Sequence, residues 1–172
     1  MNSIAIREAS TADIEQVLPL IKAYWQHDAI VGYESARLRR QLEEFLSTPA
    51  YGRGWLATHT GVSVGHLLCT FVYSFEHGGL MAEIDEFFVS APYRRQGIGQ
   101  ALLARARSSL AALGCVCLQM QVADGNAVAR DFYTRQGFEE KTGYRLWLAP
   151  LRPESPQQSV DAILTNNDEH GR

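Results

Sequence analysis

Three groups of side chains in this chain have the types and spacing to do chemistry. Glu83, Asp85 and Glu86 put three carboxylates into four consecutive positions. Like charges so crowded repel one another and disfavour a strand, which suggests a cationic partner. Shortly after them, Arg94-Arg95-Gln96-Gly97-Ile98-Gly99 sets two arginines and two glycines ahead of an apolar-periodic segment that opens with Gln100. The third group is Asn126-x-x-Ala129-x-x-Phe132-Tyr133-x-x-x-Gly137-Phe138, with one phenol among apolar residues. Carboxylates can take protons, a phenol can give one, and a Gly-rich helix start can hold an anion.

The elements around these groups follow from periodicity. Residues 4–7 alternate as a short strand. Ser10 with Asp13 fits a capping box opening a helix over 12–25, in which Pro19 should kink or limit the first stretch. A second helix covers about 34–46, and Arg37, Arg39 and Arg40 read as its wet face, where an arginine could also meet an acidic acceptor. Strands at 54–60 and 63–73 meet at Gly61 as a tight hairpin, followed by a strand over 80–89 that carries the acids. Strand parity sets Glu83 and Asp85 on one face and Ile84, Glu86 and Phe88 on the other, unless a bulge intervenes. A helix over 97–113, a strand over 116–122, a helix over 127–136 and a last strand or hairpin over 138–148 complete the pattern. The order is that of an α/β fold, a mixed sheet covered by helices on both faces. Residues 1–149 read as one domain, and from Pro150 the composition turns to a polar tail.

The loop at 94–99 suits pyrophosphate: the free N–H groups and positive dipole end of the following helix point into it, and Arg94 and Arg95 add charge. The plain alternative is a helix start that needs small residues for packing. A Walker A loop would need Lys-Ser/Thr where Gln100-Ala101 stands. A dinucleotide fingerprint would need Gly or Ala where Leu102 stands. Gly61-Val62-Ser63-Val64-Gly65 matches a nucleophile elbow literally, but a strand follows where the elbow needs a helix.

The Arg94-x-x-Gly97-x-Gly99 loop after Phe87-Phe88-Val89 resembles the acetyl-CoA loop of the GNAT superfamily of N-acetyltransferases, and the Asn126–Phe138 pattern resembles that family's fourth-helix signature. The resemblance covers about residues 4–148. It implies a mostly antiparallel twisted sheet in which the 80–89 strand bulges and splays from the 116–122 strand. Pantetheine would pair with Phe87, Phe88 and Val89, and the Val89 N–H would polarise the thioester carbonyl. Residues Arg94, Arg95, Gln96, Gly97, Ile98, Gly99 and Gln100 would hold the pyrophosphate, and Asn126 would sit near the pantetheine. Tyr133 matches the family's general acid, and the base falls on Asp85, then Glu83, then Glu86. Ile84–Val89 also resembles the diamine (spermidine/spermine) branch, with the two acids exchanged in type.

The expected reaction is acetyl transfer from acetyl-CoA to a primary amine, without a metal. A small cationic acceptor is favoured, in a cleft lined by Tyr24, Trp25, Tyr33 and Glu34 with Tyr73, Phe75 and Glu76 contributing. A protein or peptide amine stays open as acceptor, as does a non-catalytic acyl-CoA sensor. The resemblance also implies a homodimer. The net charge of −3 gives no reason to expect nucleic acid, and no run reaches the ~18 apolar residues of a membrane span. Cys69, Cys115 and Cys117 lack metal or disulfide spacing, and the five histidines are scattered. A cytoplasmic protein with reduced thiols is expected.

Overall fold

The computed structural model describes residues 4–143, 145–149 and 151. The chain forms two compact units, Met1–Asp28 with Tyr33–Met120, and Ala29–Gly32 with Gln121–Arg172.

The first unit is built on a five-stranded sheet in the order β1-β2-β3-β4-β5: β1 (Ile4–Glu8), β2 (Gly52–His59), β3 (Val62–Ser74), β4 (Gly79–Val89) and β5 (Cys117–Met120). The first three pairings are antiparallel and the last, β4 with β5, is parallel. The β2–β3 connection is the two-residue turn Thr60-Gly61, both at positive φ (49° and 82°). That turn matches the twist of a hairpin and settles the Gly61–Gly65 pattern as one.

Helices α1 (Ile14–His27) and α2 (Ser35–Ser47) cover one face of the sheet, where Val17, Leu18, Ile21, Leu38 and Leu42 pack with Leu56, Leu68 and Phe88. Helix α3 (Ile98–Ala112) covers the other: a Cβ on Gly65, whose neighbour His66 faces away, would stand 3.4 Å from Leu102. Helices on both faces of a mixed, mostly antiparallel sheet match the sequence expectation.

Pro19 does not limit α1, which runs through it as one helix. The proline sits on the solvent side of the helix. An interior proline costs about 3 kcal/mol. Five buried aliphatic side chains on α1, at about 1.5–3 kcal/mol each, outweigh it.

The turn before α1 is held by Asp13. Its carboxylate accepts hydrogen bonds from Arg7 at 2.8 and 2.5 Å and from the Ser10 backbone at 2.8 Å, tying β1 to the start of the helix. The Arg7 guanidinium holds its pKa down at about 2 against burial, which acts the other way.

The second unit contains α4 (Ala127–Arg135), closed by Gly137 at φ 77°. The strand or hairpin expected over 138–148 is absent: the described residues there have irregular backbone. A strand exists only by pairing, and Leu146 and Trp147 are exposed, so no buried apolar face rewards it. The polar tail expected beyond Pro150 lies outside the described residues, Leu151 excepted.

A depressed carboxylate stabilises the fold above its unfolded pKa, near 4, and that contribution is lost as pH falls through about 2. Asp13→Asn is therefore expected to cost about 2 kcal/mol at pH 7, with the deficit shrinking between pH 4 and 2. Urea unfolding across that range measures it; a deficit independent of pH would contradict the ion pair as its source.

Candidate active site

The acids stand where the sheet register breaks. Leu68 on β3 pairs with Glu86, but Cys69 pairs with Ile84, leaving Asp85 as an extra residue on β4. Such a bulge cancels the strict alternation of side chains. Glu86 lies opposite Leu68 and Glu83 opposite Thr70, so the acids that parity separates come to the same face. The β4–β5 ladder ends at this place, with Ile84↔Met120, while β4 runs on to Val89 against β3. Ser90 N–H donates to the Val64 carbonyl, so by ladder alternation the Val89 N–H points away from β3, toward the edge that β5 no longer follows.

Asp85 and Glu86 line a cavity of about 380 Å³ between the sheet and the helices, with Ile21, Leu42, Phe45 and Leu68 as apolar wall and Trp25, Arg37, Gln41 and Thr70 as polar points. The three carboxylates are in different states. Glu83 accepts from Gln119 Nε2 at 2.9 Å. Glu86 is buried and accepts from Trp25 Nε1 at 2.8 Å. Asp85 reaches solvent at the cavity and has no hydrogen-bond partner among the described residues. The protein packed around it, then Glu86 and Glu83, push its carboxyl above the usual range. A raised pKa and a free carboxylate are the properties of a general base.

Behind Glu86 lies a residue that sequence reasoning passed over. His66 on β3 is wholly buried, and neither ring nitrogen has a hydrogen-bond partner among the described residues. Its Nε2 stands 3.6 Å from Glu86 Oε2, close enough to feel the charge and too far for a hydrogen bond. The scattered spacing of the histidines hid this contact; only the register that places His66 opposite Phe88 reveals it.

The loop at 94–99 has the form expected of an anion site. Helix α3 begins at Ile98, one residue later than expected, with Gly97 as its N-cap at φ 81° and open space where a Cβ would be. The first-turn N–H groups of a helix have no partner within it, so those of α3 point into the loop. Arg95 is also left-handed, at φ 61°, and its side chain is exposed. Arg94 instead turns back onto the sheet: its Nε donates to the Val89 carbonyl at 2.8 Å, and its guanidinium lies 5.3 Å from the Phe88 ring centroid. It fastens the loop to the end of β4. Gln96 donates within the loop, to the Pro92 carbonyl at 3.1 Å.

Of the residues expected to line an acceptor cleft, Trp25 lines this cavity. Tyr24 packs on Phe88 instead, and the Glu34 carboxylate caps α2, accepting from Ala36 and Arg37 N–H at 2.9 and 2.7 Å. Tyr33 stands edge-on to Trp25, while Tyr73 and Phe75 are exposed near the β3–β4 turn, apart from the cavity. In the second unit, Asn126 caps α4 by accepting from Ala129 N–H at 3.0 Å, and Tyr133 packs edge-on against Phe132 and Phe138.

The profile of the Acetyltransferase (GNAT) family matches residues 14–138, more than half of the chain. The chain belongs to this family. Among curated relatives, an uncharacterized N-acetyltransferase of Methanocaldococcus jannaschii is 29% identical over 155 residues, 88% of this chain and 68% of its own. The thialysine N-epsilon-acetyltransferase of Bos taurus is 27% identical over 161 residues, 86% of this chain and 91% of its own. The aminoglycoside N-acetyltransferase AAC(6')-Iy, solved in complex with CoA, superposes with a TM-score of 0.76 at 18% identity, over 87% of this chain and 96% of its own. The fold is the GNAT fold, and the protein is an acyltransferase of the N-acetyltransferase type.

Because Glu83 is one of two like charges raising the Asp85 pKa, Glu83→Gln should move the Asp85 titration downward, toward the ordinary carboxylate range. Carboxyl carbon NMR measures the midpoint; a midpoint that stays put or rises would show that Glu83 does not act on Asp85.

Proposed function

We propose that this acyltransferase moves the acetyl group of acetyl-CoA to a small primary amine by direct attack, with Asp85 as the base. The observation that carries the reading is Asp85 in the β4 bulge: a carboxylate with a raised pKa, facing a cavity, at the point where the β4–β5 ladder ends.

The residues present fit the donor. Gly97 leaves open space at the α3 N-cap, and the first-turn N–H groups point there. Arg95 and the backbone of Gln96, Gly97, Ile98, Gly99 and Gln100 would hold the pyrophosphate, while the β4 edge at Phe87, Phe88 and Val89 would pair with the pantetheine. Asn126 would contribute a hydrogen bond beside it. Bound acetyl-CoA supplies a thioester carbonyl carbon as electrophile and a thiolate as leaving group.

The chain's own residues then have separable tasks. The cavity holds the amine, and Asp85 takes its proton as the new C–N bond forms, so that nitrogen ends neutral in the amide. The Val89 N–H, aimed away from β3, is the donor for charge that builds on the carbonyl oxygen. Tyr133 gives its phenolic proton to the sulfur as the C–S bond breaks. Glu86 stays in the wall with Trp25, and Glu83 stays with Gln119; both act on Asp85 through their charge. Self-association of two copies belongs to the same reading and is read by light scattering.

Free-thiol release from acetyl-CoA over a panel of primary amines tests the reading. Turnover with at least one small amine is expected. CoA binding by calorimetry with no thiol release from any amine would replace the enzyme reading with that of an acyl-CoA sensor.

Because the base must be ionised, kcat/KM should rise with pH through the raised Asp85 value, placing the acidic limb above about pH 4. Asp85→Asn should remove that limb and lower kcat by roughly 10²–10⁴, and Tyr133→Phe should lower kcat by a comparable factor near neutral pH. A limb that survives in Asp85→Asn assigns the base elsewhere; unchanged turnover in Tyr133→Phe removes the phenol from the mechanism.

A further inference from the structure

The cavity that Asp85 faces carries its negative charge at one place. Asp85 and Glu86 are the acids of its wall, and they are neighbours on β4. Glu86 is buried and accepts from Trp25, and its second oxygen is shielded from solvent. Asp85 is therefore the carboxylate left to meet a ligand. The rest of the wall is mostly apolar, with Ile21, Leu38, Leu42, Phe45 and Leu68. Gln41 and Thr70 add neutral polar groups, and Arg37 adds a cation. Of the α2 arginines read as a wet face, Arg39 and Arg40 are exposed, whereas Arg37 is half-buried in this wall. An ammonium has one anchoring point here.

A second cavity, of about 140 Å³, lies between the end of α2 and the start of β2. Phe45 lines both cavities, and among the described residues no other side chain does. Its ring lies on the β2 backbone: a Cβ on Gly52 would stand 2.8 Å from Phe45 Cε2. The ring thus stands where the first cavity would otherwise continue into the second. The second cavity adds no free acid among the described residues, because its one carboxylate, Glu8, is paired with Arg53 at 3.2 Å.

We infer that the acceptor is a primary amine with one ammonium on an apolar chain, and that Phe45 limits the length of that chain. The inference rests on the proposed amine acetylation and narrows its acceptor. With the ammonium at Asp85, the rest of a small acceptor lies against aliphatic and aromatic side chains, and each methylene it buries adds affinity. A second ammonium in the same space would leave water with no carboxylate to meet it, which makes a diamine the poorer acceptor. Where the chain reaches the Phe45 ring, further length has no space to fill. Phe45 is then a specificity-determining residue, and its removal joins the second cavity to the first.

The test runs straight-chain alkylamines of increasing length against the diamines of equal length, by acetylation and by calorimetric binding to the full chain without donor. In the wild-type protein kcat/KM should rise about fourfold for each added methylene, pass through an optimum and then fall. The diamine of the optimal length should lie about tenfold or more below its alkylamine. Phe45→Ala should move the optimum to longer chains, and Phe45→Leu, a smaller change that preserves more of the packing, should move it the same way. Thermal melts show which variants fold. A rate that is flat across the alkylamines, a diamine taken as well as the alkylamine of its length, or an optimum that stays put in a folded variant overturns the inference. Turnover of diamines in place of alkylamines overturns it while amine acetylation stands. If no amine is acetylated, the proposed function fails, and the calorimetric series still decides: affinity that rises with chain length supports the apolar site, and affinity that does not overturns it.

Discussion

A single extra residue in β4 is the constraint on which the site depends. With Asp85 inserted opposite the Leu68–Cys69 step, side-chain alternation is reset between Glu86 and Ile84. Without it, Glu83 and Glu86 would face opposite sides of the sheet, and one of them would meet the packed side chains of α3. The bulge also coincides with the end of the β4–β5 ladder, which leaves the strand edge at 85–89 for other partners. Carboxylate position, carboxylate pKa and access to the strand edge therefore have one geometrical origin.

Holding three acids on one face costs stability, and the surrounding residues offset only part of it. Gln119 takes Glu83, and Trp25 takes one oxygen of Glu86. The second Glu86 oxygen and both nitrogens of His66 stay without hydrogen bonds among the described residues, at about 1–3 kcal/mol for each buried unsatisfied group. Such a cluster would be selected against in a purely structural core, where an apolar pair of the same shape packs more favourably. Its place is the wall of a cavity, with the Trp25 indole binding α1 to the same carboxylate that shapes the Asp85 field. Asp85 itself is the least satisfied of the three, which is what leaves it able to accept a proton.

Much of the architecture was legible because it follows local periodicity. The apolar stripe of α1, the Thr60-Gly61 turn and the glycine at the start of α3 each announce their element within a few residues. The misses share a cause. Leu146, Trp147 and Leu148 form a short apolar run of the kind a strand uses, yet pairing needs a partner edge that no local pattern encodes. Glu34 reads as an acidic cleft residue until the helix start is placed, after which its carboxylate serves the Ala36 and Arg37 amides. The contacts of Arg94 with Val89 and Phe88 are likewise set by where β4 ends, which no local pattern states.

By itself the sequence determined the family, through an Arg94–Gly99 loop and an Asn126–Phe138 pattern whose residue types are demanded by a helix N-terminus, a cap and a phenol. It also determined that carboxylates stand just before the loop. Only the tertiary structure decided which of them is free, because that depends on a register offset between strands and on Gln119, Trp25 and His66, all distant in the chain. It likewise decided that Arg37 lines the cavity while Arg39 pairs with Glu15. Residue type is a local property of the chain. The charge and freedom of a side chain are set by what packs against it, and that is fixed only when β3, β4, α1 and α2 come together.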